Sequence, residues 1–151
     1  MTRTECSNKY GPIVDGVWAL ESKHCISVAI PSPYNRWTKN AMTGRVWTSV
    51  YCNRDIVKPL LTALASLTAC GRALELKTFD GCFNIRSIRG EPLLQSAHSW
   101  AVAVDFNAPF NPLGGPNSLS PEFVRCFTEQ GFTWGGNFAR EDSQHFSIAG
   151  F

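Results

Sequence analysis

Long apolar runs, closely paired cysteines and an excess of charge are all missing from this 151-residue sequence. No stretch approaches the roughly 20 apolar residues that span a bilayer, and the opening MTRTECSNKYGPIVDG lacks the apolar centre of an export signal. The expectation is a protein made and folded in the cytosol, with no membrane partner. Charged residues make up 17% of the chain and the formal net charge is +2, so no basic surface invites nucleic acid. Six cysteines are present, at 6, 25, 52, 70, 82 and 126, yet none forms a CxxC pair. That argues against a four-cysteine zinc knuckle and points to reduced, buried, inert thiols. His24 beside Cys25 is a weak ligand pair, and His24 has no assigned role. Internal repeats and low-complexity tails are also missing.

What is present suits one domain over residues 1–151, long enough to bury a core. Between Asn53 and Gly71, the residues Ile56, Leu60, Leu61, Leu64 and Leu67 recur at helical spacing, with Pro59 near the start and Gly71 as the stop. SPEFVRCFTEQG predicts a second helix, capped by Ser120, opened by Pro121 and ended by Gly131, with Phe123 and Phe127 on one face. The short runs CISVAI, RVWTSVY, ALELKTF, WAVAVDF, GFTWGG and HFSIAG are rich in β-branched and aromatic residues and predict strands. IPSPYNRWTKNAMTG and NAPFNPLGGPNSLSP predict loops. Helices and strands interleave without a βαβ rhythm, so the expected class is α+β: a small mixed, largely antiparallel sheet with packed helices.

Histidine is scarce, with three in the chain, and two of them keep carboxylate company. His98 precedes Asp105 in HSWAVAVDF, and His145 follows Asp142 in DSQHF. Strand alternation puts Asp105 on a face with Ala101 and Ala103, whose small side chains leave room for an ion. A carboxylate there is costly unless paired or bound to metal. His98 from the preceding loop and His145 from a later strand complete a His, Asp, His set. Three protein ligands with one open corner is the donor arrangement of a catalytic zinc site. Asp142, three residues before His145, is the natural proton acceptor outside that set. Two ordinary histidines and two ordinary carboxylates satisfy the same spacing, so spacing alone does not decide.

The wording of the two segments goes further. SAHSWAVAVD resembles the SxHxxGxAxD motif of the zinc D-alanyl-D-alanine carboxypeptidase and L-alanyl-D-glutamate peptidase family, which includes phage endolysins, and DSQHF resembles its second motif, (E/D)xxH. FDGCFNIRSIRG and GFTWGGNF are similar to segments of the endolysin-like branch, so the likeness covers roughly residues 45–151. It implies the small α+β fold shared with the hedgehog signalling domain, a Zn2+ cofactor on His98, Asp105 and His145, and Asp142 as general base. An upstream arginine, Arg86 or its close competitor Arg89, is implied to hold the substrate or its oxyanion. Ser96 reads as a substrate-side hydroxyl or a turn residue, and Trp134 as a cleft wall or plain core. One departure is visible: Ala101 stands where the motif has glycine, and the extra methyl is expected to tighten the backbone around the metal without removing a ligand.

The implied reaction is hydrolysis of peptidoglycan stem peptides by a monomer. An endopeptidase cut between L-Ala and D-Glu is favoured over release of terminal D-Ala, in a phage enzyme held in the host cytoplasm until it reaches the wall. A zinc-fold module that binds without turnover is the rival reading. A cysteine hydrolase using Cys82 or Cys126 lacks a nucleophile motif.

Overall fold

Asn53 starts the longest helix by turning its side chain back on the backbone. Its Oδ1 accepts from the Asp55 N–H at 3.1 Å, which satisfies one of the donors a helix start leaves open. In the computed structural model, which describes residues 1–88 and 90–151, the elements in chain order are α1 (Arg3–Tyr10), α2 (Glu21–His24), β1 (Cys25–Ala29), α3 (Tyr34–Trp37), β2 (Ser49–Asn53), α4 (Arg54–Ala69), β3 (Phe79–Gly81), β4 (Ser87–Ile88), β5 (Glu91–Gln95), β6 (Ala103–Phe106), α5 (Pro121–Thr128), β7 (Thr133–Trp134) and β8 (His145–Ser147). Short 3-10 turns interrupt them, among them Ala97–Trp100 and Gly135–Asn137.

The central sheet runs β3-β6-β8-β7 with every neighbour antiparallel, and β1-β2 and β4-β5 form separate antiparallel pairs. The class is α+β, as expected. α4 packs on α5 and on the β1–β2 pair and contributes buried Ile56, Leu60, Ala63, Leu64 and Leu67 to the core, while α5 lays buried Phe123 and Phe127 against the central sheet. Phe106 and Phe146 meet those rings from β6 and β8, with centroids of Phe127 and Phe146 4.9 Å apart and of Phe106 and Phe127 5.1 Å apart. Burying each such side chain contributes about 1.5–3 kcal/mol.

Both long helices stop in the same way. Gly71, at φ +76°, donates to the Thr68 carbonyl while Arg72 reaches back to Leu67. Gly131, at φ +88°, and Phe132 repeat the pattern on Thr128 and Phe127. This is the glycine-terminated closure that pairs the last open carbonyls of a helix.

Several expectations need correction. ALELKTF is not a strand: Ala73–Glu75 form a 3-10 turn and β3 begins at Phe79. Glu75 is needed there as an acceptor for the Ser120 backbone and hydroxyl that open α5. The run RVWTSVY yields extended pairing from Ser49 onward, and the loop 30–44 contains α3. WAVAVDF is strand from Ala103, because Trp100 ends a 3-10 turn and Ala101 is left-handed at φ +54°. Cys70 is exposed, whereas the other five thiols are buried. Pro59 lies at the sixth residue of α4 without breaking it.

Segment 1–44, which carries no motif, folds against the rest. Thr2 and Glu5 form a reciprocal capping box on α1, the Trp100 indole donates to Gly11 O at 2.9 Å, and Tyr10 donates to Asp55 at 2.8 Å. His24 stacks on Trp18 at 5.8 Å. No helix among the described residues is long and apolar enough to cross a membrane.

Candidate functional site

Strand register brings the first two candidate residues together. Asp105 in β6 is the direct antiparallel partner of His145 in β8, and opposite residues in such a pair point to the same face. The third arrives from the 3-10 turn 97–100, which Ser96 caps by accepting the His98 N–H at 3.4 Å. Asn53 holds the far end of that turn, taking the Ala101 carbonyl on its N–H at 3.0 Å and giving its amide to Trp100 O at 3.2 Å.

The result is a tight triangle. His98 Nε2 lies 3.2 Å from Asp105 Oδ1 and 3.2 Å from His145 Nδ1, and His145 Nδ1 lies 3.0 Å from the same Asp105 oxygen. Both imidazoles are buried and the Asp105 side chain is 17% exposed. His98 Nδ1 is 2.7 Å from the Cys82 carbonyl, an atom that can only accept, so that nitrogen carries the proton and Nε2 turns a lone pair to the centre. Burial alone would raise Asp105, but the two imidazoles outweigh it and hold the carboxyl well below the usual carboxylate range. Burial alone would lower His98, and the Asp105 charge outweighs it and raises the imidazole. Both shifts express one demand: positive charge at the centre of the triangle.

Zinc suits that demand. Nitrogen and oxygen donors at about 2.0–2.1 Å from a tetrahedral ion stand about 3.3 Å from one another, close to the spacing found here, and the three side chains are one grouping whose ligand atoms all approach within 4.8 Å. Asp142 supplies a second observation. Its Oδ1 is buried and has no hydrogen-bond partner among the described residues, a costly state for a carboxylate oxygen unless something outside the chain completes it.

Asp142 and His145 both line a cleft of about 590 Å³, together with Asp105, Arg86, Ser96 and Arg3. Arg86 is held beside the His98 turn by its backbone: its N–H donates to Ser99 Oγ at 3.0 Å and its carbonyl accepts from Ser96 N at 3.0 Å. Its guanidinium is exposed, with Nη1 3.5 Å from Ser87 O. Arg89 lies outside the described residues. Ser96 lines the cleft while serving as a cap. Trp134 is not among the lining residues described. Its indole donates to Ser143 O at 2.9 Å, behind the segment that carries Asp142.

Ala101 gives the motif's glycine a different meaning. At φ +54° and ψ 32°, the position asks for a left-handed turn, which glycine adopts freely and alanine at a cost of about 1–2 kcal/mol. The constraint is on the backbone direction that joins the His98 turn to β6.

Residues 89–148 match a family model described as D-alanyl-D-alanine carboxypeptidase. Over these residues the chain is similar to that peptidase family. No curated protein and no solved structure matches it. The match takes in both motifs and all four candidate side chains, and it supports a peptidoglycan-acting peptidase of a generally zinc-dependent kind. Cys82 meets His98 through a backbone carbonyl, which has no residue signature, and Arg3 reaches the cleft from a segment without motifs.

Proposed function

We propose that this chain is a zinc-dependent peptidoglycan peptidase in which His98, Asp105 and His145 hold the metal, Asp142 moves the proton and Arg86 meets negative charge on the substrate. The observation that carries the reading is the triangle of three converging donors, of which Asp105 and His145 line the same cleft as Asp142, whose Oδ1 has no partner among the described residues. A bound zinc ion supplies Lewis acidity, polarising the scissile carbonyl and making water a better nucleophile near neutral pH. Asp142 accepts the proton of the attacking water and passes it to the departing nitrogen. Arg86 reaches the cleft from a backbone pinned to the His98 turn and offers a charged fork to an oxyanion or a peptide carboxylate. The Cys82 carbonyl keeps His98 in the ligating tautomer.

The bond we assign is L-Ala–D-Glu within the stem peptide. The endolysin-like wording of FDGCFNIRSIRG and GFTWGGNF supports it, and with it a monomeric, one-domain phage lysis enzyme that waits in the host cytoplasm. The matched description, D-alanyl-D-alanine carboxypeptidase, favours a second reading, release of terminal D-Ala by the same chemistry. Metal analysis of native protein and Asp142→Ala, joined to mass spectrometry of peptidoglycan digests, tests all of this. About one zinc per chain in both proteins is expected, with products from the native one alone. A new D-Glu amino terminus marks the endopeptidase and free D-Ala the carboxypeptidase. Metal-loaded native protein that leaves wall material from several bacteria intact overturns the enzyme reading in favour of a binding module.

A further inference from the structure

We propose that Trp134 and Gly135 are positioning residues that clamp the turn Asp142–His145, so that one device sets both the proton acceptor and a metal ligand; the roles of those two residues rest on the function proposed above. Four contacts define the clamp. The Trp134 indole donates to Ser143 O at 2.9 Å. The Gly135 carbonyl accepts from Asp142 N at 2.9 Å and from Phe138 N at 3.0 Å, and the Asp142 carbonyl accepts from His145 N at 3.0 Å. Trp134 is also the sheet partner of Phe146, the neighbour of His145.

Neither Gly135 nor Gly136 has a positive φ, so conformational freedom does not explain them. Space does. A Cβ on Gly135 would stand 2.5 Å from Asp142 O and 3.1 Å from His145 Cβ, and one on Gly136 would stand 2.2 Å from the Trp134 ring. The backbone of Gly135 therefore lies directly against the turn, and the indole lies against Gly136. A carboxylate and a ligand reach reproducible places only from a backbone that is itself held. The clamp supplies that fixing, which gives the WGG stretch a task distinct from walling the cleft.

The test compares native protein with Trp134→Phe, which deletes one donor and keeps ring packing, Gly135→Ala, which inserts a methyl into the contact, and Ile56→Val, a mild core change in α4. Hydrogen exchange at the Asp142 and His145 amides, zinc affinity by competition with a chromophoric chelator, and kcat and KM on a stem-peptide fragment are measured. Trp134→Phe is expected to speed exchange at those two amides by about fivefold, the worth of one hydrogen bond, and to lower kcat about tenfold with KM unchanged. Gly135→Ala is expected to weaken zinc binding by about 10–100-fold, the usual scale for disturbing a ligand's support. Ile56→Val should leave zinc affinity and kcat as in the native protein. The clamp is overturned if exchange at these amides in Trp134→Phe rises no more than in Ile56→Val, a reading that stands even if Gly135→Ala fails to fold. Native protein without turnover, combined with the expected exchange and zinc changes, would sink the peptidase and keep the clamp; an active native enzyme with unaltered variants would do the reverse.

Discussion

Strands β6 and β8 show the protein's two kinds of surface back to back. On one side Val104, Phe106 and Phe146 enter the aromatic core under α4 and α5; on the other, Asp105 and His145 pair across the same ladder and meet His98. The core side asks for volume, and hydrophobic exchanges of similar size are tolerated there. The site side asks for particular atoms at particular places, because three donors converging on one point are unfavourable without a cation. Alternation along a strand lets one short element serve both, and it couples them: whatever shifts Phe146 shifts His145.

The sharpest way to break the comparison is His98→Ala. The remaining Asp105 and His145 rarely suffice to hold zinc tightly, so metal content should fall to background and turnover by at least ~10³-fold. Its melting temperature should stay near that of metal-free native protein, since the core side is untouched. Retained activity in this variant would show that the ligand assignment is wrong.

Asp142→Asn separates the proton from the metal. The amide keeps the shape and loses the basicity, so kcat should drop about 10²–10⁴-fold while zinc content, read by atomic absorption, stays at the native level. Loss of zinc in this variant would move Asp142 into the ligand set.

On the opposite face, Phe146→Ala should cost about 3–5 kcal/mol of stability, a fall in Tm on the order of 10 °C for a chain of this length. It removes no donor. If folded protein at low temperature nevertheless binds zinc as tightly as the native, the two faces are less coupled than the shared ladder implies.

The parts legible in the sequence are those with a periodic or chemical signature. α4 follows from leucines at helical spacing and from its Asn and Gly ends, and α5 from Ser120, Pro121 and Gly131. The four candidate site residues are legible as motif letters, and the fold brings the donor atoms of three of them, His98, Asp105 and His145, within 4.8 Å of one another. Other features have no such mark. α1 buries little beyond Cys6 and Tyr10, too few apolar positions to register as a period, although its Thr2 and Glu5 are a capping signature. The β4–β5 pair includes exposed Leu93 and Leu94, so it lacks the alternation that marks a strand. Ala73–Glu75 are helix-forming residues that read as strand only through the Thr78 and Phe79 that follow, and Glu75 in that turn accepts from Ser120. The Cys82 carbonyl and the Gly135 backbone work through groups that every residue possesses, so only the three-dimensional arrangement reveals them.

The smallest expected effect concerns Ala101, where the site side meets the backbone rather than the metal. Replacing it with glycine relieves about 1–2 kcal/mol of left-handed strain. Against that stand about 0.4–1 kcal/mol of added freedom in the unfolded chain and up to about 0.8 kcal/mol for the buried methyl. The terms nearly cancel, so Ala101→Gly should change stability by less than about 1 kcal/mol, visible as a Tm shift of no more than roughly 4 °C, with zinc affinity unchanged. Ala101→Val, whose branched Cβ suits a left-handed residue far less, should lose stability and weaken zinc binding together, because Ala101 joins the His98 turn to the strand that carries Asp105. If valine were accepted as readily as glycine, the turn would not be what aligns His98 with Asp105.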